Sequence, residues 1–119
     1  MRDYHRLEIW RRAHAVAIAI HEAVRRIRGH HFASLRSQLT RAADSIAATI
    51  VEGCGASTAR EFARFLDMSI KSASETEYHL LSARDRHALT DEIWQRLSSE
   101  VEEIRRMTYA YRKRLLEGE

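Results

Sequence analysis

The side chains best suited to chemistry in this sequence are seven histidines, one cysteine and the acidic residues near them. His21-Glu22 begins like the helical zinc-protease motif His-Glu-x-x-His, but Arg25 occupies the position of the second histidine. The Glu-x-x-His spacing of di-iron bundles is also missing, because Thr76 stands three residues before His79. We therefore predict no catalytic residues, no metal site and no cofactor, and a protein that is not an enzyme.

The cysteine and its neighbouring glycines offer no other reaction centre. Cys54 lies between Gly53 and Gly55 near the end of a predicted helix, and helix C-termini do not activate thiols as N-termini do. This segment is too short for a phosphate-binding loop and lacks the Lys-Ser/Thr that would end one. No small-molecule substrate is evident. The histidines are best explained as surface or interface residues, because no Cys or acidic partner stands at ligand spacing.

The composition favours a single helical domain. The chain has 119 residues with no proline and four glycines; 45% of the residues are hydrophobic and 31% are charged. This length is typical of one domain, and the absence of proline suits uninterrupted helices. We predict one domain over residues 1–119. A cytoplasmic location is expected, since a lone cysteine forms no internal disulfide and no stretch approaches the roughly 20 apolar residues of a membrane span.

Four stretches of the chain carry apolar residues at steps of three and four. This spacing predicts amphipathic helices at residues 7–28, 34–52, 59–85 and 91–116. Gly29 is expected to end the first helix, and Gly53-Cys54-Gly55 to break the second. Short connections between such helices favour an all-α, antiparallel up-and-down four-helix bundle.

The first helix has more apolar surface than one core requires. Residues 13–20 read AHAVAIAI, and Val16, Ile18 and Ala19 fall outside the predicted core stripe. Large exposed apolar patches are uncommon on monomers, so these three residues predict an interface between copies of the chain. The alternative is a wide core face with tolerated surface alanines.

The first helix is also strongly basic. The protein has a formal net charge of +3, and residues 7–28 contain five arginines against two glutamates. A repeated basic helix would attract RNA or DNA phosphates. The predicted nucleic-acid contacts are Arg11, Arg12, Arg25, Arg26 and Arg28. The alternatives are solvated flanks or salt bridges at an interface.

Several blocks of the sequence match one family in order and spacing. Residues 7–14 resemble an "L-x-V-W-x-K-A" opening, 35–46 match "L-x-x-Q-x-x-R-A-A-x-S-I", 50–53 match "I-A-E-G", 61–66 match "E-F-x-R-F-L", and 72–77 resemble "G-S-x-x-E-x-E". These blocks resemble the four-helix bundle proteins of the 23S ribosomal RNA intervening-sequence family. Residues 45–50 depart from the family's "S-I-P-x-N-I", because they lack its proline and asparagine.

The resemblance implies a left-handed up-and-down bundle that assembles into a ring, with a pentamer as the expected form. A related branch, the accessory proteins of diversity-generating retroelements, implies binding of a reverse transcriptase and of nucleic acid through basic surfaces. A scaffolding protein that binds only another protein is the alternative function. The matched residues are expected to be mainly structural, with an Arg-Glu network locking the turn between the second and third helices. They are Gln38, Arg41, Ser45, Glu52, Gly53, Glu61, Phe62 and Arg64.

Overall fold

A computed structural model describes residues 2–118, and this part of the chain contains four long helices and no β-strand. Two short 3-10 turns precede the first and second helices, at Tyr4–Arg6 and His30–Phe32. The long helices are α1 (Glu8–Arg25), α2 (Ala33–Cys54), α3 (Ala59–Asp85) and α4 (Asp91–Glu117). The protein is therefore an all-α fold.

Two helix ends differ from the sequence-based boundaries. α1 ends at Arg25. The connection that follows it is held by Arg36, which donates hydrogen bonds to the carbonyl oxygens of Ile27 (3.0 Å) and Gly29 (2.8 Å). Gly29 has a φ of +103°, a left-handed conformation that favours glycine. α2 continues through Gly53 to Cys54 and is capped by Gly55, so it ends within the predicted Gly53-Cys54-Gly55 segment, two residues later than residue 52.

The starts of α3 and α4 follow directly from their capping residues. The side chain of Thr58 accepts a hydrogen bond from the backbone N–H of Glu61 at 3.1 Å. Thr90 accepts one from the N–H of Ile93 at 3.2 Å. Each cap satisfies an N–H that has no partner inside the helix, and the acidic residues in each first turn suit the positive end of the helix dipole.

Each helix packs against two others: α1 and α3 both contact α2 and α4. Aliphatic side chains from all four helices are fully buried between them, namely Ile20, Leu39, Ile46, Ile50, Leu66, Leu80, Val101 and Ile104. The resulting body is elongated, 48 × 20 × 19 Å. None of the helices in residues 2–118 combines the length and apolarity needed to cross a lipid bilayer.

Cross-helix polar contacts define how the helices lie along one another. Arg105 of α4 pairs with Glu77 of α3 at 2.6 Å, and Arg112 of α4 lies 2.7 Å from Asp67. The contact position therefore falls along α3 as it rises along α4. Between α2 and α3, the hydroxyls of Ser45 and Ser72 are 2.8 Å apart, and the Ser69 hydroxyl donates to the Ile46 carbonyl at 2.8 Å.

Candidate nucleic-acid interface

Arg12 forms an ion pair that joins α1 to α4. Its Nε and Nη2 donate to the two carboxylate oxygens of Glu100 on α4, at 3.0 and 2.8 Å, and both side chains are half-buried. This hydrogen bonding raises the pKa of Arg12 above its ordinary value. This pair ties α1 to α4 and leaves the Arg12 guanidinium less available to a ligand than the sequence-based prediction assumes.

We expect Arg12→Met to lower the free energy of unfolding by about 1 kcal/mol, since it removes a bidentate pair that is only partly shielded from water. Urea unfolding at matched protein concentration measures this loss. The matched control is Arg106→Met, which breaks an exposed pair within α4 to Glu102 and should cost less than about 0.5 kcal/mol. Equal costs for the two variants would contradict a structural role for Arg12.

Two other predicted arginines lie on the surface beside their own carboxylates. Arg11 pairs with Glu8 at 2.6 Å and Arg25 pairs with Glu22 at 3.1 Å, in each case across one turn of α1. Both arginines are exposed and therefore accessible, and such exposed pairs contribute little to stability. Each is locally neutralised, however, which weakens its attraction for a distant phosphate.

Arg26 and Arg28 have no such partners. Both are exposed, and neither forms an ion pair with any residue from 2 to 118. Arg26 also lines an open groove between α1 and α4 together with Arg96. Arg96 is a neighbour that sequence reasoning missed. The signal that could have found it is the expected proximity of the end of the first helix to the start of the fourth, which the groove shared by Arg26 and Arg96 bears out.

A fourth arginine joins this end of the molecule through the two connections. The guanidinium carbon of Arg86 lies 5.1 Å from the centre of the Phe32 ring, and the Phe32 and His31 rings contact each other at a tilt of 39°, with ring centres 4.1 Å apart. The connection after α1 and the connection after α3 therefore meet. Arg86, too, forms no ion pair in the described part of the chain.

We call this surface the basic end and define it by Arg26, Arg28, Arg86 and Arg96. Most carboxylates near it are already paired: Arg84 lies 3.5 Å from Asp85 and 3.3 Å from Asp91, while Glu22 holds Arg25. Guanidinium groups suit phosphate because their planar fork can donate two parallel hydrogen bonds. Exposed histidines add to the same end, namely His30, His31 and His87.

The three residues predicted to mediate self-association differ in how far they are buried. Val16 is 3% exposed and lies in the core, so its assignment to an intermolecular interface is wrong. Ala19 is half-buried and turns towards α4, in the groove lined by Ile93. Ile18 is 54% exposed. The reason is that α1 packs on both α2 and α4, which widens its buried arc beyond a single stripe.

The expected Arg-Glu network between α2 and α3 is absent from residues 2–118. Glu61 pairs with Arg64 inside α3 at 2.8 Å, which lowers the pKa of Glu61, and neither Arg41 nor Glu52 forms an ion pair in this range. Close packing holds the turn instead. A Cβ added to Gly53 would lie 2.7 Å from Cδ1 of Phe62, so glycine lets this ring seat against α2.

The remaining matched residues line a shallow polar groove between α2 and α3. Gln38 donates to the Ser34 hydroxyl at 2.9 Å, Arg41 is exposed, and Ser45 makes its hydroxyl contact to α3. The groove is completed by Ser37, Ala42, Ser72 and Glu75. The α2–α3 seam is therefore lined mainly by polar side chains, and these do not form a reaction centre.

Possible catalytic and metal groups are also dispersed. Among residues 2–118, no three His, Cys, Asp or Glu side chains come together in a way that could hold a metal ion. Cys54 is buried, and burial raises the pKa of its thiol, which lowers the thiolate fraction at neutral pH. The described residues therefore supply no activated nucleophile at this position.

Comparisons with known proteins agree with the fold. The chain is similar to the crystal structure, at 1.70 Å resolution, of a protein of unknown function from the S23 ribosomal protein family of Bacteroides thetaiotaomicron. The TM-score is 0.82 at 23% identity, over 88% of this chain and 98% of that one. No curated protein matches. The family model for the 23S rRNA-intervening sequence protein matches residues 5–110. Because this match covers most of the sequence, the chain belongs to the 23S rRNA-intervening sequence protein family.

Proposed function

We propose that the chain is a non-enzymatic, homo-oligomeric binding protein that contacts RNA or DNA through the basic end. The observation that carries this proposal is the convergence of Arg26, Arg28, Arg86 and Arg96 on one end of the bundle, with no carboxylate pairing any of them in residues 2–118. An open surface with several separate guanidiniums suits an extended polyphosphate, whose charges are regularly spaced.

The proposed assembly is a left-handed, antiparallel up-and-down bundle that forms a ring, with a pentamer as the expected number of copies. The order of the cross-helix contacts supports the antiparallel arrangement, since paired positions rise on one helix as they fall on the next. The exposed Ile18 supports self-association. Ring and copy number rest on the family resemblance. The proposed location is the cytoplasm.

Replacing Arg26, Arg28 and Arg96 together by glutamine should weaken binding to a structured RNA roughly 500-fold in 0.1 M salt, since three factors of about eight multiply. Each phosphate that is no longer neutralised removes about 0.9 from the salt exponent, which is roughly eightfold at this concentration. Fluorescence anisotropy with a labelled RNA hairpin measures the affinity.

The matched control removes the same charge at the opposite end, where Arg60, Lys113 and Arg114 are exposed and form no ion pair within residues 2–118. Replacing these three by glutamine should change the affinity less than about fivefold, the residual long-range charge effect. No binding by the wild-type protein at low salt, or equal losses of affinity in both triple variants, would contradict the proposal.

A scaffolding protein that binds another protein and no nucleic acid is the second candidate function. It is favoured by three exposed apolar side chains on α3 and α4, namely Tyr78, Leu81 and Tyr109. Tyrosine is enriched at protein interfaces. This function predicts undetectable RNA binding, together with capture of one specific protein from a nuclease-treated lysate of the native cell.

A further inference from the structure

Two rings and one guanidinium group lie together in the connection between α1 and α2, beside the free arginines of the basic end. The centres of the His31 and Phe32 rings are 4.1 Å apart, with an angle of 39° between the ring planes. Arg86, from the connection after α3, places its guanidinium carbon 5.1 Å from the centre of the Phe32 ring. We call His31, Phe32 and Arg86 the ring cluster.

The three members of the ring cluster differ in their exposure to solvent. Phe32 is half-buried and packs against the hydrophobic core. His31 and Arg86 are both exposed. The core therefore accounts for the position of Phe32, which anchors the cluster on the bundle. It leaves an imidazole ring and a planar guanidinium group at the surface, where both are accessible to a ligand.

Hydrogen bonds hold the backbone that carries the His31 ring. The Gly29 carbonyl accepts one from Arg36 at 2.8 Å and one from the Phe32 N–H at 3.2 Å. The His31 carbonyl accepts one from Nη2 of Arg86 at 3.5 Å. Gly29 also leaves room for the imidazole, because a Cβ there would lie 2.7 Å from Cε1 of His31. The ring cluster is thus in place before a ligand arrives, which reduces the entropy lost on binding.

Positive charge and accessible planar groups therefore occur in one place. Arg86 belongs both to the ring cluster and to the basic end, and the exposed Arg28 stands three residues before His31. Arginines bind the phosphates of a nucleic acid in any form, whereas aromatic rings and guanidinium planes stack on bases that are unpaired. Bases inside a duplex are stacked on one another and do not reach such a ring. The combination therefore favours unpaired nucleotides over a duplex.

We infer that the ring cluster binds an unpaired nucleobase of the strand whose phosphates the basic end contacts, by stacking of the base on His31 and Arg86. This inference rests on the nucleic-acid contact in the proposed function and names the part of the nucleic acid that is recognised. Every base has a π-face, so stacking is tolerant of sequence. The contact therefore selects loops, bulges and single strands rather than a particular sequence.

The test compares two labelled RNA hairpins with the same stem and the same number of phosphates, one with an ordinary loop and one with an abasic loop. Fluorescence anisotropy should show that the wild-type protein binds the ordinary hairpin about tenfold more tightly, as expected for one stacked base. His31→Ala should remove most of this difference by weakening the binding of the ordinary hairpin alone. His31→Tyr keeps an aromatic ring and should preserve the difference. Because His31 is exposed, both variants should keep the helical circular dichroism of the wild type.

The matched control is His30→Ala, which removes an exposed imidazole that forms no ring contact within residues 2–118. It removes no stacking surface of the cluster, so both affinities should change less than about twofold. Equal wild-type affinities for the two hairpins would overturn base stacking, and so would a His31→Ala variant that weakens both hairpins equally or a His31→Tyr variant that loses the difference. A wild-type protein that binds neither hairpin at low salt would instead overturn the proposed function. The two failures are therefore distinguishable by the wild-type binding curves.

Discussion

Val16→Asp should lower the free energy of unfolding by more than about 4 kcal/mol and leave most of the protein unfolded. Val16 is 3% exposed within a single copy of the chain, where it belongs to the hydrophobic core formed by the four helices. A carboxylate there loses its hydration and must either stay charged without a partner or take up a proton, and both outcomes destabilise the fold. Circular dichroism during urea titration measures the effect.

The matched control is Ile18→Asp, two residues further along α1. Ile18 is 54% exposed, so this change should alter the stability of the isolated copy by less than about 0.5 kcal/mol. It should act on the mass of the assembly instead. If Val16→Asp stays folded and merely dissociates an oligomer, Val16 belongs to the interface between copies and not to the core of one copy.

Phe62→Ala should lower the free energy of unfolding by about 3–5 kcal/mol, the usual cost of deleting a buried aromatic ring. Phe62 is 2% exposed and lies at the turn between α2 and α3, with its ring edge-on to Tyr111 at 5.9 Å between centres. It thus joins α2, α3 and α4 at one end of the bundle. Urea unfolding at fixed protein concentration gives the size of the loss.

A substitution at Gly53 tests the same contact from the α2 side. Gly53→Ala should cost about 1–3 kcal/mol, because its Cβ would lie 2.7 Å from the Phe62 ring and 2.9 Å from Cβ of Phe65. Part of this cost should vanish when Phe62 is also alanine. Gly55→Ala is the control: its nearest neighbour would be the Glu52 carbonyl at 3.4 Å, so it should be close to neutral. A stabilising Gly53→Ala would show that helix propensity outweighs the contact.

The helices are the part of the structure that the sequence predicts best, since apolar residues at three-four spacing must face a common core. The starts of α3 and α4 show why capping residues help, as Thr58 and Thr90 both cap through their side chains. The end of α2 shows the limit of glycine as a stop signal. Gly53 stays helical because its missing side chain admits Phe62, a reason that lies in tertiary packing rather than in local preference.

The candidate site is less predictable because the role of an arginine depends on residues far away in sequence. Arg12 and Arg26 look alike in the first helical segment, yet Arg12 meets Glu100 across the bundle while Arg26 lies beside Arg96. Arg86 reaches the basic end only because two connections meet there. The neighbours of a residue in sequence do not specify these contacts. They follow from the order in which the helices pack.

The most direct test of nucleic-acid binding at the basic end is the salt dependence of RNA affinity, compared between the wild-type protein and the variant in which Arg26, Arg28 and Arg96 are glutamine. We predict that the logarithm of the wild-type affinity falls steeply with the logarithm of salt concentration. The slope of the triple variant should be shallower by about 2.7, roughly 0.9 for each phosphate that the variant no longer neutralises. Equal slopes, or a wild-type protein that binds no RNA at low salt, would contradict a nucleic-acid contact at the basic end.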